Sequence, residues 1–437
     1  MNVRLLVFLF ILGSSSIAIS QPALQCGPML GYVEMREVCI WLQSTQPMDG
    51  FVRYNAEGSD VSVDVPFSTR DNEAHTAHIV VSNLEPGTKY DYVILSGGLR
   101  MVDDVFHFTT QSLWQYRTEP PEFTAAVGSC AFINETKYDR PGAPYGGEEQ
   151  IFNSIATREP DLMIWLGDNT YLREVDYNSL QGMIYRYTHT RSIPELKELL
   201  STAANYAIWD DHDFGPNDSN GSFIHKDLSK ECFQLFWANN SSGLPGNGGI
   251  TTQFTWGDID FFLLDDRYFR TPPDMVGVEP TILGETQVQW LIQALVTSRS
   301  PFKMVCLGGQ FLNPVANFEN YAIYPKERDR IIELIDKNKI NGVVFLTGDR
   351  HCTELSQLTL PSGRMIYDLT VSPFTSTAYD NTKEANTLRV EGTLVPRRNF
   401  ATITFTGKRN ERILKISDFD SDGNNMWNYE IKQPVKK

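Results

Sequence analysis

The chain has 437 residues, which is too long for one ordinary domain and sufficient for two. Its hydrophobic fraction of 41% and aromatic fraction of 12% are typical of a globular protein with a large core. The formal net charge is −16 and the basic clusters are short pairs such as Arg397-Arg398, which argues against a nucleic-acid-binding surface.

The first residues have the pattern of an export signal. Arg4 precedes an apolar run from Leu5 to Leu12, and small and polar residues follow up to Ala18-Ile19-Ser20. This pattern predicts a secretory signal peptide over residues 1–20. An N-terminal membrane anchor is the alternative, but the run is shorter than the roughly 18–20 apolar residues that a span needs. We therefore expect an exported protein, periplasmic or extracellular, without a transmembrane span in the mature chain.

The sequence contains six cysteines, which are few for an exported chain of this length. Cys26 and Cys39 are close enough in sequence to form a disulfide, whereas the remaining cysteines cannot be paired from sequence. A lipid anchor on Cys26 also stays open, although Gln25 before it fits a lipidation site poorly.

The first predicted domain covers residues 21–112. Short runs rich in β-branched and aromatic residues, such as VCIWLQST, GFVRYNA and KYDYVILSG, alternate with turn signals and predict a β-sandwich. The stretch LEPGTKYDYVI resembles the turn and strand of fibronectin type III domains, in which a tyrosine after Pro-Gly-Thr forms a corner. Tyr90 has this position, so we expect a fibronectin III/Ig-like fold without a ligand cluster of its own.

A linker over residues 113–122, which contains Pro120-Pro121, precedes the second predicted domain at residues 123–437. Segments with helical spacing of apolar residues, such as LSKECFQLFWANN and RDRIIELIDKNK, alternate there with short apolar runs. This alternation predicts an α/β domain. Near its end, DFDSDGNN resembles a calcium loop only loosely, and we favour a solvated turn between strands.

Successive apolar runs of the second domain each end in polar or charged side chains. The residues at these ends are Ser129-Cys130, Asp168 and Tyr171, Asp210 to Asp213, Asp265 to Arg267, Gln310, and Asp349 to His351. If the runs share a sheet, these ends meet where open α/β folds bind ligands. Crowded carboxylates repel one another unless cations neutralise them, so the pattern predicts a multivalent metal site. Taken singly, each of these sites is more typical of a turn in which Asp caps the next element, so the prediction depends on their recurrence.

The histidines restrict the type of metal site. The sequence has seven, and those of the second domain are His189, His212, His225 and His351. The ligands must therefore be mostly oxygen atoms, with room for a thiolate and a phenolate. Such a set favours Ca²⁺, Mg²⁺, Mn²⁺ or Fe³⁺ over a tetrahedral zinc cage.

The motifs GSC, GDNTY, WDDHD and GDRH, in this order behind a sandwich domain, resemble those of the PhoD-like alkaline phosphatase/phosphodiesterase family, a branch of the metallophosphoesterases. The segments GPMLGYVEMREVCIWLQ and LLDDRYFR extend the resemblance from Gly27 to the C-terminus. The resemblance implies a metallophosphoesterase domain with a β-sandwich core flanked by helices. It also implies hydrolysis of phosphomonoesters, phosphodiesters or both by a metal-activated water, with Fe³⁺ and Ca²⁺ as metals and other divalent ions still open.

By motif, the resemblance also implies the metal ligands, which are Cys130 and Tyr171 on iron, the bridging Asp168, and Asp211, Asp349 and His351. His212 is the candidate proton donor to the leaving group, since flanking carboxylates should help an imidazole to keep its proton; metal ligation is its alternative role. Arg267 and Arg350 are candidates for holding the phosphate, with structural ion pairs as the alternative. Asp210 and Asp213 are expected to support the site.

Two other interpretations explain part of the pattern. A glycoside hydrolase could use Asp168 and Asp211 as acid and base without metal, but it would leave Cys130 and Tyr171 unexplained. A calcium-dependent adhesion or carbohydrate-binding protein would account for the sandwich domain and the acids. For a phosphoesterase, the loops at residues 134–150 and 373–392 would select the substrate, and their aromatic residues suit stacking of a sugar, a base or a lipid glycerol.

Overall fold

The computed structural model describes residues 22–434. The predicted signal peptide at residues 1–20 lies outside this range, so it stays a prediction. Among the described residues, no helix is both long and apolar enough to cross a bilayer.

The N-terminal part consists of antiparallel strands that form two sheets. The strands are β1 (Leu24–Val33), β2 (Glu37–Ser44), β3 (Met48–Ala56), β4 (Val63–Thr69), β5 (Thr76–Ser82), β6 (Lys89–Ser96), β7 (Leu99–Arg100) and β8 (Phe106–Thr109). One sheet has the order β1-β2-β5, and the other has β4-β3-β6-β7 with β8 also paired to β6. The Tyr90 hydroxyl accepts a hydrogen bond from the backbone N–H of Glu85 at 2.8 Å, which is the contact expected of a tyrosine corner. The fibronectin III/Ig-like classification itself remains a prediction.

The predicted disulfide between Cys26 and Cys39 is wrong. In the strand register Cys26 lies opposite Gln43, whereas Cys39 lies opposite Val80. All six cysteines of the chain are free and buried thiols. The two side chains cannot meet because strand pairing, which sequence spacing does not reveal, separates them.

The second part begins with β9 (Phe123–Gly128), close to the predicted boundary at residue 123. Its further strands are β10 (Leu162–Leu166), β11 (Ala204–Ile208), β12 (Thr252–Trp256), β13 (Ile259–Leu263), β14 (Lys303–Cys306), β15 (Val343–Thr347), β16 (Glu354–Thr359), β17 (Met365–Thr370), β18 (Asn399–Thr406), β19 (Ile413–Asp420) and β20 (Asn425–Lys432). The helices are α1 (Ile151–Ala156), α2 (Leu180–Arg191), α3 (Leu196–Thr202), α4 (Asp211–Phe214), α5 (Lys226–Phe236), α6 (Gly284–Thr297) and α7 (Pro325–Lys337).

These strands form two mixed sheets, with the orders β11-β10-β9-β18-β19-β20 and β12-β13-β14-β15-β17-β16. The sheets face each other, since Phe405 of β18 packs against Phe261 of β13 and against Phe302, with ring centroids 6.4 Å and 6.2 Å apart. Helices cover the outer faces; in α6, Val288, Leu291 and Leu295 recur at helical spacing and are buried. The arrangement is the predicted β-sandwich core with flanking helices.

The parallel strands bring the predicted polar residues to one edge. Strands β9, β10 and β11 run parallel in one sheet, and β13, β14 and β15 run parallel in the other. The loops that follow them meet between the sheets. A side chain on Gly308 would place its Cβ 2.5 Å from carboxyl atoms of Asp210 and Asp266, so only glycine lets the loop after β14 approach these acids. The turn between β19 and β20 closes on Asp420, whose carboxylate accepts the N–H groups of Asp422 and Asn424.

Candidate metal centre

The loops behind the strands present their side chains from strained backbone positions. Cys130, Asp168, Asp349 and His351 have φ values of 63°, 52°, 66° and 52°. This left-handed region is uncommon for residues other than glycine, and each instance costs of the order of 1 kcal/mol or more. Its recurrence at four of the predicted ligands shows that the turns aim these side chains inward at a cost in stability.

The predicted iron ligands converge. The Cys130 sulfur lies 3.5 Å from Asp168 Oδ2, and the ligand atoms of Cys130, Asp168 and His351 all lie within 4.8 Å of one another. The Tyr171 hydroxyl is 3.3 Å from His351 Nε2 and accepts a hydrogen bond from Ser376 Oγ at 3.0 Å. The structure therefore groups a thiol, a phenol, an imidazole and a carboxylate from three separate loops, which follow β9, β10 and β15.

The remaining predicted ligands lie next to this group, because neighbouring sets of ligand atoms share residues. Asp168 also lies with Asp211 and His212 in a set whose ligand atoms are within 4.8 Å, and Asp211 lies in a further such set with Asp210 and Asp349. Asp168 and Asp211 each belong to more than one set. Both carboxylates would therefore stand among the residues that hold the cations.

The charges of this cluster are unfavourable in the protein alone. Burial and the neighbouring Asp211 raise the pKa of Asp168 well above its ordinary value, and they raise the pKa of Asp349 to about 7. Burial and Asp349 raise the pKa of the Cys130 thiol to about 12. The buried atoms Asp210 Oδ2 and Asp266 Oδ1 accept no hydrogen bond from the described residues. This donor set fits bound cations, which would supply the missing positive charge.

The orientation of His351 suits a metal ligand. Its Nδ1 lies 2.6 Å from the Thr377 carbonyl oxygen, and because a carbonyl can only accept, Nδ1 must carry the hydrogen. Nε2 is then the lone-pair nitrogen that faces Tyr171 and the cluster. Burial lowers the pKa of His351 to about 4, which keeps the ring neutral at physiological pH.

His212 packs its ring on Tyr171, with centroids 4.2 Å apart, and its Nε2 lies 3.9 Å from Asp211 Oδ2. From the sequence we expected flanking carboxylates to raise its pKa. The net pKa of His212 is instead lowered. Burial lowers it more than the negative charge of Asp211 raises it, because the loss of hydration outweighs one nearby charge. Its role as proton donor therefore stays a prediction.

The two predicted phosphate-binding arginines are bound to protein groups. Arg267 is completely buried and pairs with Asp210 and, at 2.8 Å, with Glu319. Arg350 Nη2 lies 2.6 Å from Glu384 Oε2, and its Nη1 donates to Gln310 Oε1 at 2.6 Å. Both guanidinium groups thus form ion pairs with carboxylates of the protein, which was the alternative to phosphate binding.

Asp213 links two loops of the cluster through hydrogen bonds. Its carboxylate accepts the backbone N–H groups of Asp210 and Asn169 at 3.1 Å and that of Thr170 at 3.2 Å. One side chain therefore holds the loop after β10 against the loop after β11. The Asp211 carboxylate, in turn, accepts the N–H of Asp218 at 2.7 Å.

Sequence reasoning missed Asp218 and Glu319, whose carboxylates lie within 4.8 Å of the Asp211 carboxylate. Glu319 also pairs with Arg270 at 2.9 Å. Asp218 follows the WDDHD motif closely and could have been included as a candidate. Glu319 stands in an irregular loop without a motif, so only the tertiary structure identifies it.

Comparisons with known proteins agree with this geometry. The family model described as PhoD-like phosphatase matches residues 126–417, and a domain of unknown function (DUF7800) matches residues 21–106. Alkaline phosphatase D of Bacillus subtilis (strain 168) is 27% identical over 335 residues, which are 65% of this chain and 54% of that protein. This chain thus spans about half the length of the curated relative that it matches.

Two solved structures have the same fold. The structure of PhoD has a TM-score of 0.72 at 19% identity, covering 94% of this chain and 92% of that one. The purple acid phosphatase PPD1 from yellow lupin (Lupinus luteus) seeds has a TM-score of 0.69 at 12% identity, covering 94% and 74%. The family model covers well over half of the chain and includes every predicted ligand from Cys130 to His351. The chain belongs to the PhoD-like phosphatase family.

Proposed function

We propose that the protein hydrolyses phosphoesters with a metal centre bound by Cys130, Asp168, Tyr171, Asp211, Asp349 and His351. The observation that carries the proposal is the continuous buried cluster of ligand atoms, in which successive sets lie within 4.8 Å. Family membership supports the class of reaction. The raised pKa values of Asp168 and Asp349 support the need for cations.

The donor types divide the cluster into two halves. The thiol of Cys130, the phenol of Tyr171 and the imidazole of His351 favour a transition ion such as Fe³⁺ on one side. The carboxylates of Asp211 and Asp349 favour Ca²⁺ or another hard divalent cation on the other. When bound, such cations lower the pKa of water and neutralise phosphoryl oxygens.

The protein's own groups position the reaction. The His212 side chain is 23% exposed and that of Asp211 is 5% exposed, so His212 is the more accessible of the two to a substrate. We infer that the His212 ring donates a hydrogen bond to the leaving oxygen and, once it has itself taken up a proton, passes a proton to that oxygen. Arg267 acts indirectly, since its ion pair with Asp210 holds two loops of the centre together.

The proposal covers monoesters and diesters, and it includes export on the strength of the N-terminal signal pattern. The glycoside hydrolase alternative requires two carboxylates beside an open cleft. Asp168 and Asp211 are instead both buried in the cluster with a thiol and a phenol beside them.

Metal analysis combined with an activity assay tests the proposal. We expect purified protein to hydrolyse p-nitrophenyl phosphate or bis-p-nitrophenyl phosphate, to lose this activity with a chelator, and to regain it with Fe³⁺ and Ca²⁺. Asp168→Asn should lose bound metal and reduce the rate by about 100-fold or more. Asp64→Asn, an exposed change in the N-terminal part, serves as the control. Full activity in protein shown to be free of metal would refute the proposal.

A further inference from the structure

Tyr379 lies at the rim of the metal centre and is held at three points. Its backbone N–H donates to the His351 carbonyl at 2.9 Å, and its ring stacks on the His351 ring with centroids 4.8 Å apart and planes 15° apart. Its hydroxyl lies 3.2 Å from that of Tyr145. The ring therefore has a fixed position and direction before any substrate arrives.

Tyr379 is nevertheless 45% exposed as a residue. One face stacks on the ring of His351, a proposed metal ligand, and no other aromatic ring among the described residues packs against Tyr379. Tyr145, which holds the hydroxyl, packs on Phe132 with ring centroids 4.9 Å apart. A rigid aromatic surface beside a reactive centre can bind a flat group without the usual loss of side-chain freedom.

A second exposed aromatic residue borders the centre. Phe318 is 66% exposed and lies over the Arg350 guanidinium, 5.1 Å from it. Arg350 stands between the proposed ligands Asp349 and His351 in the chain. Phe318 has a left-handed φ of 43° and precedes Glu319, which is anchored to Arg267. The rim thus offers aromatic surface on more than one loop.

We propose that Tyr379 is a stacking platform that favours phosphoesters whose leaving group carries a planar aromatic ring, such as a nucleoside or an aryl alcohol. This proposal rests on the proposed phosphoesterase function. A ring stacked on a protein aromatic contributes about 10-fold to affinity, whereas an alkyl chain cannot match the flat surface. The role is one of substrate selection rather than of chemistry.

The kinetic test compares adenosine 5′-monophosphate with glycerol 1-phosphate, since both have a primary alkoxide as leaving group. We expect Tyr379→Leu to lower kcat/KM for the nucleotide about 10-fold more than for the glycerol ester. Tyr379→Phe keeps the ring and should preserve the ratio. Tyr116→Leu, at a tyrosine that is 95% exposed in the linker region, is the matched control. Phenyl phosphate as a third substrate distinguishes an aryl group from a nucleoside.

A binding test does not depend on bound metal. Saturation-transfer NMR should detect adenosine on the metal-free protein and a weaker signal with Tyr379→Leu, while Tyr116→Leu leaves the signal unchanged. Thermal unfolding of each variant confirms that it is folded.

Equal losses for the nucleotide and the glycerol ester would show that Tyr379 only orients His351, and they would overturn the platform. The platform would also be overturned if the wild type did not bind adenosine, or if Tyr379→Leu bound it as well as the wild type. If the wild type hydrolysed no phosphoester but Tyr379→Leu weakened adenosine binding, the proposed function would fail while the platform stood.

Discussion

Arg267 and Asp210 form an ion pair in which neither side chain has exposed surface. Asp210 follows β11 of one sheet and Arg267 follows β13 of the other, so the pair joins the two sheets at the edge where the proposed centre lies. Glu319 contacts the same guanidinium at 2.8 Å. The pair is thus a structural tie next to the proposed metal ligands.

Replacing Arg267 should cost stability. Arg267→Met leaves the Asp210 carboxylate buried without its partner, and such changes destabilise by about 3–5 kcal/mol. Urea unfolding followed by circular dichroism measures the effect. The double variant Arg267→Met/Asp210→Leu should recover part of the loss. A stable Arg267→Met protein with selectively weakened phosphate binding would instead support direct contact with substrate.

The iron assignment predicts a colour change. Protein loaded with Fe³⁺ should show a visible charge-transfer band from its thiolate and phenolate ligands, and Cys130→Ala and Tyr171→Phe should each shift or remove part of it. Cys306→Ala, a change at a buried thiol in β14, should leave the spectrum unaltered. If both ligand variants kept the wild-type band, the assignment of these residues to iron would be wrong.

Metal binding should release protons. Burial and Asp211 raise the pKa of Asp349 to about 7, so this carboxyl is substantially protonated at pH 6.5 in the metal-free protein and must ionise to bind a cation. Apparent metal affinity should therefore fall as the pH is lowered. Calorimetry in buffers of different ionisation enthalpy counts the protons. Asp349→Asn should release about one proton fewer, and Asp64→Asn should match the wild type; no proton release at pH 6.5 would contradict the proposal.

Asp418 should make stability depend on pH. It is completely buried, and neither carboxyl oxygen accepts a hydrogen bond from the described residues. Burial raises its pKa well above the ordinary value. The folded protein therefore keeps a proton that the unfolded chain loses above pH ~4, so stability declines as the pH rises from there toward the folded pKa.

Asp418→Asn removes this titration. The melting temperature of the variant minus that of the wild type should therefore be larger at pH 8 than at pH 5. Differential scanning calorimetry at both values measures the difference. Asp422→Asn, at an exposed residue in the turn that follows β19, should show no such trend. A constant difference between variant and wild type across this range would show that Asp418 ionises normally.

Much of the centre could be predicted from short stretches of sequence. A proposed ligand that follows closely on a buried strand, such as Asp168 after β10, is placed by the strand itself, because parallel strands end at a common edge. A short apolar run predicts a strand, and the first polar residues after the run mark the end of that strand, so both can be predicted from a few neighbouring positions. This explains why motif positions from Cys130 to His351 converge in the structure as expected.

The sequence by itself therefore determined which side chains stand at the strand ends and the family to which they belong. The tertiary structure alone decided their partners: Arg267 pairs with Asp210 and Glu319, Tyr379 stacks on His351, and Cys26 lies apart from Cys39. The tertiary structure also decided that the pKa of His212 is shifted downward. The physical reason is that ion pairing, stacking and loss of hydration depend on segments distant in the chain, and these meet only when both sheets have formed.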